Sequence, residues 1–382
     1  GGHIPPPLVD SPKCPRCSLV GICLPDEVNF LARMTEPPRP LAVPREDALP
    51  LYVQARGAKV SKSGETLEVF VDDQKVAIAR LGETSQVVLQ GGVYLTSPAL
   101  HELMAREIPV TWLSHGGWFL GHTVGLGHKN VEIRTAQYRA SFDDRHCLRL
   151  ARGFVAAKIR NARTLLRRNW KRGELPADLL DEFRRDIEQA ERAGNLQTLL
   201  GVEGNAAARY FRHFREMLGN TDSMSASFDF QKRNRRPPAD PVNALLSYAY
   251  SLLARSVSVA ATAVGFDAYR GFYHQPRYGR PALALDLMEP LRPLIADSAV
   301  IMAINNAEVR PSDFLSAAGA VSLTNDGRKR FIAGFERRLS QEVTHPLFGY
   351  RVSYRRLLEL QARLLARHLL GEIPEYPNFT TR

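Results

Sequence analysis

The pattern of apolar residues changes abruptly near residue 130 of this 382-residue chain, and that change limits the possible folds. Between residues 51 and 122, apolar residues form short β-type segments separated by turn-forming pairs: Ser63-Gly64, Asp72-Asp73 and Gly91-Gly92. Ser97-Pro98 predicts one helix that runs to about Glu107, because serine caps a helix start and proline fits its first turn.

Long amphipathic stretches replace these short segments after residue 130. Helical spacing is present over residues 139–170, 178–193, 196–218, 241–264, 281–305, 325–340 and 350–370. The sequence therefore predicts an α+β chain. A small N-terminal β domain, β-sandwich-like with one helix, precedes a larger all-α domain.

Cysteine and proline content divides the chain further. Residues 1–36 contain three of the four cysteines, and residues 37–50 contain five prolines, too many for a helix or a central strand. We interpret residues 37–50 as a linker, residues 51–129 as the β domain and residues 130–382 as the helical domain. A chain of this length also exceeds what one hydrophobic core usually holds.

Positive charge is concentrated in the second part of the chain. Residues 1–130 contain 12 Lys and Arg against 13 Asp and Glu, whereas residues 131–382 contain 39 against 27. Such an excess attracts nucleic acid through counterion release, although a solvated surface is the alternative. Five basic residues are candidate contacts to DNA phosphates: Lys158, Arg163, Arg233, Arg235 and Arg236.

Four residues of the helical domain are candidates for chemistry. Glu203 lies among small residues that permit close approach of a backbone or of DNA, and His274 follows far downstream. Asp286 and Glu289 are three residues apart, so on a helix they share one face. Carboxylates with one imidazole suit Mg²⁺ or Mn²⁺, which can activate a phosphodiester.

Structural roles are the alternatives for the same residues. Glu203 could be a charge on a solvated helix face, and His274 could be a hydrogen-bonded structural imidazole. The two downstream acids could cap a helix or pair with Arg280 and Arg292. Pro290 and Pro293 also interrupt the helix that would place those acids on one face, at its end or at a kink.

Cys14, Cys17 and Cys23 have the spacing C-x2-C-x5-C, which favours a metal centre over a disulfide framework. Three thiolates need a fourth ligand: His3 could complete a zinc site, or an upstream cysteine an iron–sulfur cluster. A tail with free thiols is the alternative. Reduced thiolates indicate the cytosol. The sequence contains no secretory signal and no uncharged apolar run of membrane-spanning length, so no membrane association is predicted.

Several sequence blocks resemble those of the CRISPR-associated integrase family that inserts new spacers. They are Gly-Val-Glu-Gly at 201–204, Arg-Arg-Pro-Pro-Ala-Asp-Pro-Val-Asn-Ala-Leu-Leu-Ser-Tyr at 235–248, Gly-Phe-Tyr-His at 271–274 and Gly-Arg-Pro-Ala-Leu-Ala-Leu-Asp-Leu-Met-Glu-Pro-Leu-Arg-Pro at 279–293. The resemblance extends from about Leu51 to the end of the chain.

The resemblance implies a metal-dependent DNA endonuclease and integrase. One Mg²⁺ or Mn²⁺ would be bound by Glu203, His274 and Glu289, with Asp286 as a nearby functional acid; Glu289 replaces an aspartate of some relatives. The 3′-hydroxyl of a short duplex, the prespacer, would attack a phosphodiester at the CRISPR repeat. The family also implies a homodimer formed through the β domain and a small ferredoxin-like partner protein.

The run from Lys13 to Cys23 resembles the carboxyl-terminal end of RecB-type CRISPR adaptation exonucleases. Their [4Fe–4S] cluster uses three such cysteines and one far upstream. Because the chain also lacks an initiating Met, we expect a fragment of a fusion between that exonuclease and the integrase, acting in the prokaryotic cytoplasm. The competing hypothesis is a non-catalytic DNA-binding scaffold whose acids are structural.

Overall fold

The computed structural model describes residues 7–17, 19–33, 37–39, 48–117, 119–125, 131–171, 173–219, 228–234 and 237–381. The chain divides into two compact units. One is Val43–Val131, and the other combines Gly1–Ala42 with Glu132–Arg382. The first unit is rich in strands and the second is mostly helical, which confirms the predicted α+β class.

The β unit contains two four-stranded sheets. One has the strand order β1 (Leu49–Val53), β5 (Thr84–Gln90), β7 (Val110–Leu113) and β8 (Phe119–Thr123). The other has the order β4 (Gln74–Arg80), β3 (Thr66–Val71), β2 (Lys59–Ser63) and β6 (Tyr94–Leu95). In the first sheet β1, β5 and β7 are parallel and β8 is antiparallel; in the second, β2, β3 and β4 are antiparallel and β6 runs parallel to β2.

The turns predicted from sequence join the strands of the second sheet. Ser63 pairs with Thr66 across the first turn. Asp72 and Asp73 form the next turn with φ of 47° and 60°, a conformation that aspartate tolerates better than most residues. Strand β1 begins at Leu49, inside the predicted linker, and Pro50 is accommodated because β1 is an edge strand.

One hydrophobic core serves both sheets and helix α3 (Ser97–Ala105). Val53 and Leu89 come from the first sheet, Leu67 from the second, and Leu103 from the helix. All four side chains are buried. The β unit therefore has its own core.

The second unit begins with two helices near the cysteines, α1 (Val20–Cys23) and α2 (Pro25–Arg33). The remaining helices are α4 (Val131–Ser141), α5 (Asp144–Asn169), α6 (Ala177–Arg192), α7 (Leu196–Arg212), α8 (Pro241–Val264), α9 (Ala282–Met288), α10 (Ser298–Asn305), α11 (Asn325–Ser340) and α12 (Tyr354–Leu369). Two short antiparallel hairpins that the sequence analysis did not anticipate pair β9 (Phe314–Ala317) with β10 (Ala320–Leu323) and β11 (Glu342–Thr344) with β12 (Arg351–Ser353).

Helix α5 lies at the centre of this unit and packs against α6 and α7. Asp143 caps its start by accepting hydrogen bonds from the backbone N–H groups of Arg145 and His146. Asn161, fully buried at mid-helix, donates to the carbonyls of Pro290 at 2.7 Å and Phe379 at 2.9 Å. The helix thereby fixes the segment that follows α9.

The stretch predicted as helical over residues 281–305 is interrupted where its prolines fall. After α9 the chain forms a 3₁₀ turn, Glu289–Leu291, and then a π-helical turn, Arg292–Asp297, before α10. Pro290 and Pro293 lack the N–H that a continuous α-helix needs, which accounts for the change of winding.

The cysteine-bearing segment packs against the carboxyl-terminal part of the same unit. The Tyr350 hydroxyl donates to the buried Glu27 at 2.9 Å, and Phe30 meets Phe348 edge-on at 6.2 Å. Arg367 donates to the carbonyl of Ile22 at 2.9 Å. Polar and aromatic contacts therefore hold α1 and α2 on the helical unit.

Helix α8, with 24 residues and a mean hydropathy of 1.2, could cross a membrane by length and composition alone. Core helices of soluble proteins meet the same criterion, and here 56% of the apolar window is buried inside the protein.

Candidate active site

Four parts of the helical unit contribute to one cavity of about 480 Å³. Lys158 comes from α5, Glu203 from α7, His274 from the loop after α8, and Glu289 from the 3₁₀ turn after α9. Three of these residues are the metal ligands that the family resemblance implied. They are separated by up to 86 positions along the chain, and only the fold brings them together.

Asp286 lies behind the cavity and organises the loop that carries His274. Its Oδ2 accepts hydrogen bonds from the backbone N–H groups of Phe272 at 2.6 Å and Tyr273 at 3.0 Å. Its Oδ1 accepts from the N–H of His274 at 2.8 Å and contacts Nδ1 of the same residue at 2.7 Å. Because a carboxylate accepts hydrogen bonds, Nδ1 is the donor in this contact, and Nε2 is the ring nitrogen left for another partner.

Gly271 permits this close approach. A Cβ at position 271 would lie 2.8 Å from Oδ2 of Asp286 and 2.9 Å from the carbonyl carbon of Ala282. Both distances are shorter than real Cβ contacts, so a side chain would push the loop away from Asp286.

Glu289 is fully buried and surrounded by positive groups. Arg292 Nη1 lies 2.7 Å from its Oε1, Lys158 Nζ lies 2.7 Å from its Oε2, and His274 Nε2 lies 3.8 Å from Oε1. Burial alone would raise the pKa of Glu289, but the charges of Arg292 and Lys158 outweigh it and hold that pKa well below its ordinary value. The carboxylate is therefore ionised near neutral pH.

Lys158 joins the two glutamates. Its ammonium contacts Glu203 Oε1 as well as Glu289, and its side chain is only 16% exposed. The Tyr273 hydroxyl donates to the other oxygen of Glu203. Burial and the neighbouring Glu203 raise the pKa of Tyr273, so this hydroxyl stays protonated as a donor.

Among the described residues, no three His, Cys, Asp or Glu side chains come close enough together to form a metal cluster. The donor chemistry nevertheless fits a divalent cation. Glu289 Oε2 is buried and makes no hydrogen bond, although Lys158 Nζ lies 2.7 Å away in an unfavourable direction. Two carboxylates that already share one cation, next to an imidazole, form a donor set suited to Mg²⁺ or Mn²⁺.

The ion pair between Arg292 and Glu289 was one of the alternatives drawn from the sequence, whereas Asp297, Tyr210 and Tyr250 near Arg292 were not singled out there. Asp297 accepts hydrogen bonds from the Tyr210 hydroxyl at 2.9 Å and the Tyr250 hydroxyl at 2.6 Å. Arg292 stacks over the Tyr250 ring, with 4.2 Å between its Cζ and the ring centroid. The spacing of three between Glu289 and Arg292 was a detectable signal for their ion pair, whereas nothing in the local sequence indicated the tyrosines.

The predicted DNA-contacting residues have different surroundings. Lys158 lies within the cavity, and Arg163 lines a second cavity on α5. Arg233 donates to Asn243 Oδ1 at 2.6 Å and to Ser247 Oγ at 3.1 Å, which fastens its loop to α8. Arg235 and Arg236 lie outside the described residues.

The three clustered cysteines are near α1. Cys14 is buried, Cys17 is exposed and Cys23 is half-buried, and none is in a disulfide. Burial raises the pKa of Cys23, an effect that Arg367 partly offsets. His3, the candidate fourth ligand of a zinc site, lies outside the described residues.

A family model described as CRISPR associated protein Cas1 matches residues 51–337. The chain belongs to the Cas1 family. It is 62% identical to a CRISPR-associated exonuclease Cas4/endonuclease Cas1 fusion of Geobacter sulfurreducens, over 100% of this chain but 69% of that protein. The chain therefore spans about two thirds of that relative's length.

Two further proteins extend this comparison. A CRISPR-associated endonuclease Cas1 of Thermus thermophilus is 40% identical over 87% of this chain and 97% of its own length. A solved casposase bound to an integration product has a TM-score of 0.74 and 23% identity, covering 85% of this chain and 92% of that one. At that identity the casposase establishes similarity of fold.

Proposed function

We propose that this chain is the integrase part of a protein that acquires CRISPR spacers. It would insert a short duplex into a CRISPR array by attack of a 3′-hydroxyl on a phosphodiester, and would also act as a DNA endonuclease. The observation that carries the proposal is the meeting of Glu203, His274 and Glu289 around a single cavity in the basic helical unit. Membership of the Cas1 family and the endonuclease names of its relatives support it.

Glu203, His274 and Glu289 are the residues that would hold Mg²⁺ or Mn²⁺ in this site. A bound divalent ion supplies a Lewis acid that polarises a phosphodiester and lowers the pKa of an attacking hydroxyl. Asp286 orients the His274 ring and fixes its tautomer, while Arg292 balances the buried charge of Glu289.

Positive groups at the cavity wall would bind the DNA strand. Arg277 and Arg280 line the cavity beside Gln275, on the loop between His274 and α9. Guanidinium groups bind phosphate oxygens with paired hydrogen bonds, so these arginines would hold the scissile strand against the carboxylates. Contacts of this type do not read base sequence, as an enzyme that accepts arbitrary spacers requires.

The proposed partners are those that the resemblance to the integrase family implied. They are double-stranded DNA (prespacer and CRISPR repeat), a second copy of the chain docked through the β domain, a small ferredoxin-like protein, and a fused exonuclease domain. The fused domain would hold a [4Fe–4S] cluster through Cys14, Cys17, Cys23 and one cysteine outside this sequence. The identity of 62% with a Cas4/Cas1 fusion over the whole chain supports the fusion. The proposed location is the prokaryotic cytoplasm, with no membrane association.

The decisive experiment compares Glu203→Gln and His274→Ala with the wild-type protein in strand joining and in duplex binding. Joining of a 3′-hydroxyl duplex to supercoiled plasmid should be lost in both variants and by chelation, whereas duplex affinity should stay within about twofold. Glu174→Gln, an exposed acid outside the cavity, is the matched control. Joining at the wild-type rate by both variants would exclude the catalytic role.

The contact of Lys158 with both glutamates favours one alternative, a non-catalytic DNA-binding scaffold in which the acids only balance buried charge. A scaffold would bind duplex DNA, but it would join no DNA in Mg²⁺ or Mn²⁺. Iron and sulfide analysis of the fusion protein tests the cluster separately, and an absence of both would reject it.

A further inference from the structure

Arginines from two helices line a second cavity, of about 490 Å³, in the helical unit. Arg160, Arg163 and Arg167 lie on successive turns of α5, and Arg184 faces them from α6. The active cavity is lined by Lys158, Ile159 and Ala162 of the same helix. At about 100° per residue, these two sets occupy different faces of α5, so the helix separates the two cavities.

Carboxylates neutralise only part of this positive charge. Glu191 pairs with Arg160, and Asp181 pairs with Arg184. Glu188 also lines the cavity, but no carboxylate in the described part of the chain lies within ion-pair distance of Arg163 or Arg167.

Arg163 is held in place beside this uncompensated charge. Its Nε donates to the carbonyl of Leu180 at 3.2 Å, and the rest of its guanidinium is left for another partner. Partial burial, together with the charges of Arg184 and Arg167, lowers the pKa of Arg163. Crowding like charges costs free energy, which a bound anion would offset.

The same cavity also offers a hydroxyl donor. Thr380 and Thr381 of the carboxyl-terminal segment line the cavity. The Thr381 hydroxyl is buried and has no hydrogen-bond partner among the described residues. Its backbone N–H donates to Asn161 at 2.9 Å, so the segment is fixed to α5. A buried donor without a partner is costly unless a ligand completes its hydrogen bonding.

We propose that this arginine cavity binds a backbone phosphate of DNA at a point outside the active cavity. The proposal rests on the proposed function, in which two DNA segments must be held while one phosphodiester reacts. The guanidinium forks and the Thr381 hydroxyl match phosphate oxygens, and the site would position DNA without reading its sequence.

The test removes two cavity charges with Arg167→Gln and Arg184→Gln in one variant. Both side chains are exposed, so folding should be retained. The matched control, Arg185→Gln with Arg192→Gln, removes two exposed charges from α6 that do not line the cavity. Fluorescence anisotropy with a labelled duplex of random sequence gives the dissociation constant over a series of salt concentrations.

The cavity variant should bind the duplex at least about tenfold more weakly at low salt. Its slope of log K against log salt should fall by about 0.9, the value for the one phosphate contact that is lost. The control should keep the wild-type slope. Equal behaviour of the two double variants would overturn the proposal. A different result would also overturn it. If inorganic phosphate raises the melting temperature of the wild type and the control but not of the cavity variant, and duplex binding is unchanged, the cavity binds a free anion and not DNA.

Strand joining separates this proposal from the proposed function. Suppose that the wild-type protein joins DNA, that Glu203→Gln abolishes joining, and that the two double variants bind the duplex equally well. In that case only the arginine-cavity proposal fails. If the wild-type protein neither binds nor joins DNA, both proposals fail.

Discussion

At the residue scale, two carboxylates three positions apart, Asp286 and Glu289, have different roles in the site. Asp286 makes no contact with Lys158 and instead satisfies three backbone N–H groups and the His274 ring. Glu289 forms ion pairs with Lys158 and Arg292. The first carboxylate shapes the loop, and the second contributes charge to the cavity.

Replacing Asp286 by Asn should therefore impair the site without touching the cavity. Asparagine has one accepting oxygen, and its NH2 group only donates, so it cannot accept hydrogen bonds at both side-chain ends as Asp286 does. The 272–274 loop should therefore loosen, and His274 should lose its fixed tautomer. We expect Mn²⁺ affinity to fall about 10- to 100-fold by isothermal titration calorimetry. Asp178→Asn, an exposed acid on α6, should bind Mn²⁺ like the wild type; equal affinities in the two variants would contradict the role of Asp286.

Lys158 provides the second residue-scale prediction. Its ammonium contacts the same two carboxylates that would hold a divalent ion, and like charges at such distances repel by several kcal/mol even at an effective dielectric constant of about 20. Lys158→Met should bind Mn²⁺ about tenfold more tightly in an electron paramagnetic resonance titration. The exposed Lys329→Met is the control. Weaker binding by Lys158→Met would mean that the lysine assists the metal and does not compete with it.

His345 predicts the pH dependence of stability. Burial lowers its pKa from 6.5 to about 3, and the ring stacks on Phe348 at 4.2 Å. Between pH 6.5 and pH 3 the His345 ring is protonated in the unfolded chain but stays neutral in the folded chain. The free energy of unfolding is therefore unaffected by this group above pH 6.5 and falls as the pH is lowered from 6.5 towards 3. The loss is at most about 1.4 kcal/mol per pH unit. Urea unfolding of His345→Phe between pH 7 and 4.5 should show a shallower decline than the wild type; parallel declines would disprove it.

At the element scale, the interrupted helix after α9 determines where the acidic and basic side chains point. A continuous α-helix would place Asp286 and Glu289 on one face. The 3₁₀ turn at Glu289–Leu291 and the π-helical turn at Arg292–Asp297 change that direction. Asp286 consequently faces the 272–274 loop, Glu289 faces α5, and Arg292 reaches back over Tyr250.

Helix α4 secures the other approach to the site through Gln137. This buried amide donates to the carbonyls of Asp267 at 2.8 Å and Arg270 at 2.6 Å, and accepts from the N–H of Asp267 at 2.9 Å. Gln137→Leu would leave these partly buried backbone groups without this partner, at a cost of up to about 1–3 kcal/mol each. We expect a clear fall in the free energy of unfolding and a weaker Mn²⁺ complex, because the loop leads directly to His274. The exposed Gln189→Leu should change neither quantity by more than the experimental error.

At the scale of the whole molecule, the β unit has a separate core that draws on both sheets and α3. A segment with its own core is expected to fold alone. The excised segment Val43–Val131 should therefore show β-type circular dichroism and one cooperative thermal transition. Leu89→Ala should lower its stability by about 2–5 kcal/mol, since Leu89 is buried in that core. Absence of a cooperative transition in the wild-type segment would count against independent folding.

The sequence by itself determined the class and order of the two units, because the change from short alternating segments to long amphipathic ones is local information. It also located the β2–β3–β4 turns and the break at Pro290, since turn residues and proline act on their own backbone. Glu203, His274 and Glu289 were named through family resemblance.

Only the tertiary structure decided what surrounds those residues. From the sequence, Lys158 is one of several positive side chains on a basic helix. In the folded protein its ammonium lies between Glu203 and Glu289. The contacts of Tyr210 and Tyr250 with Asp297 join positions 87 and 47 residues apart. Contacts of this kind follow from how helices pack around α5, which no local pattern records, and they determine the electrostatics of the site.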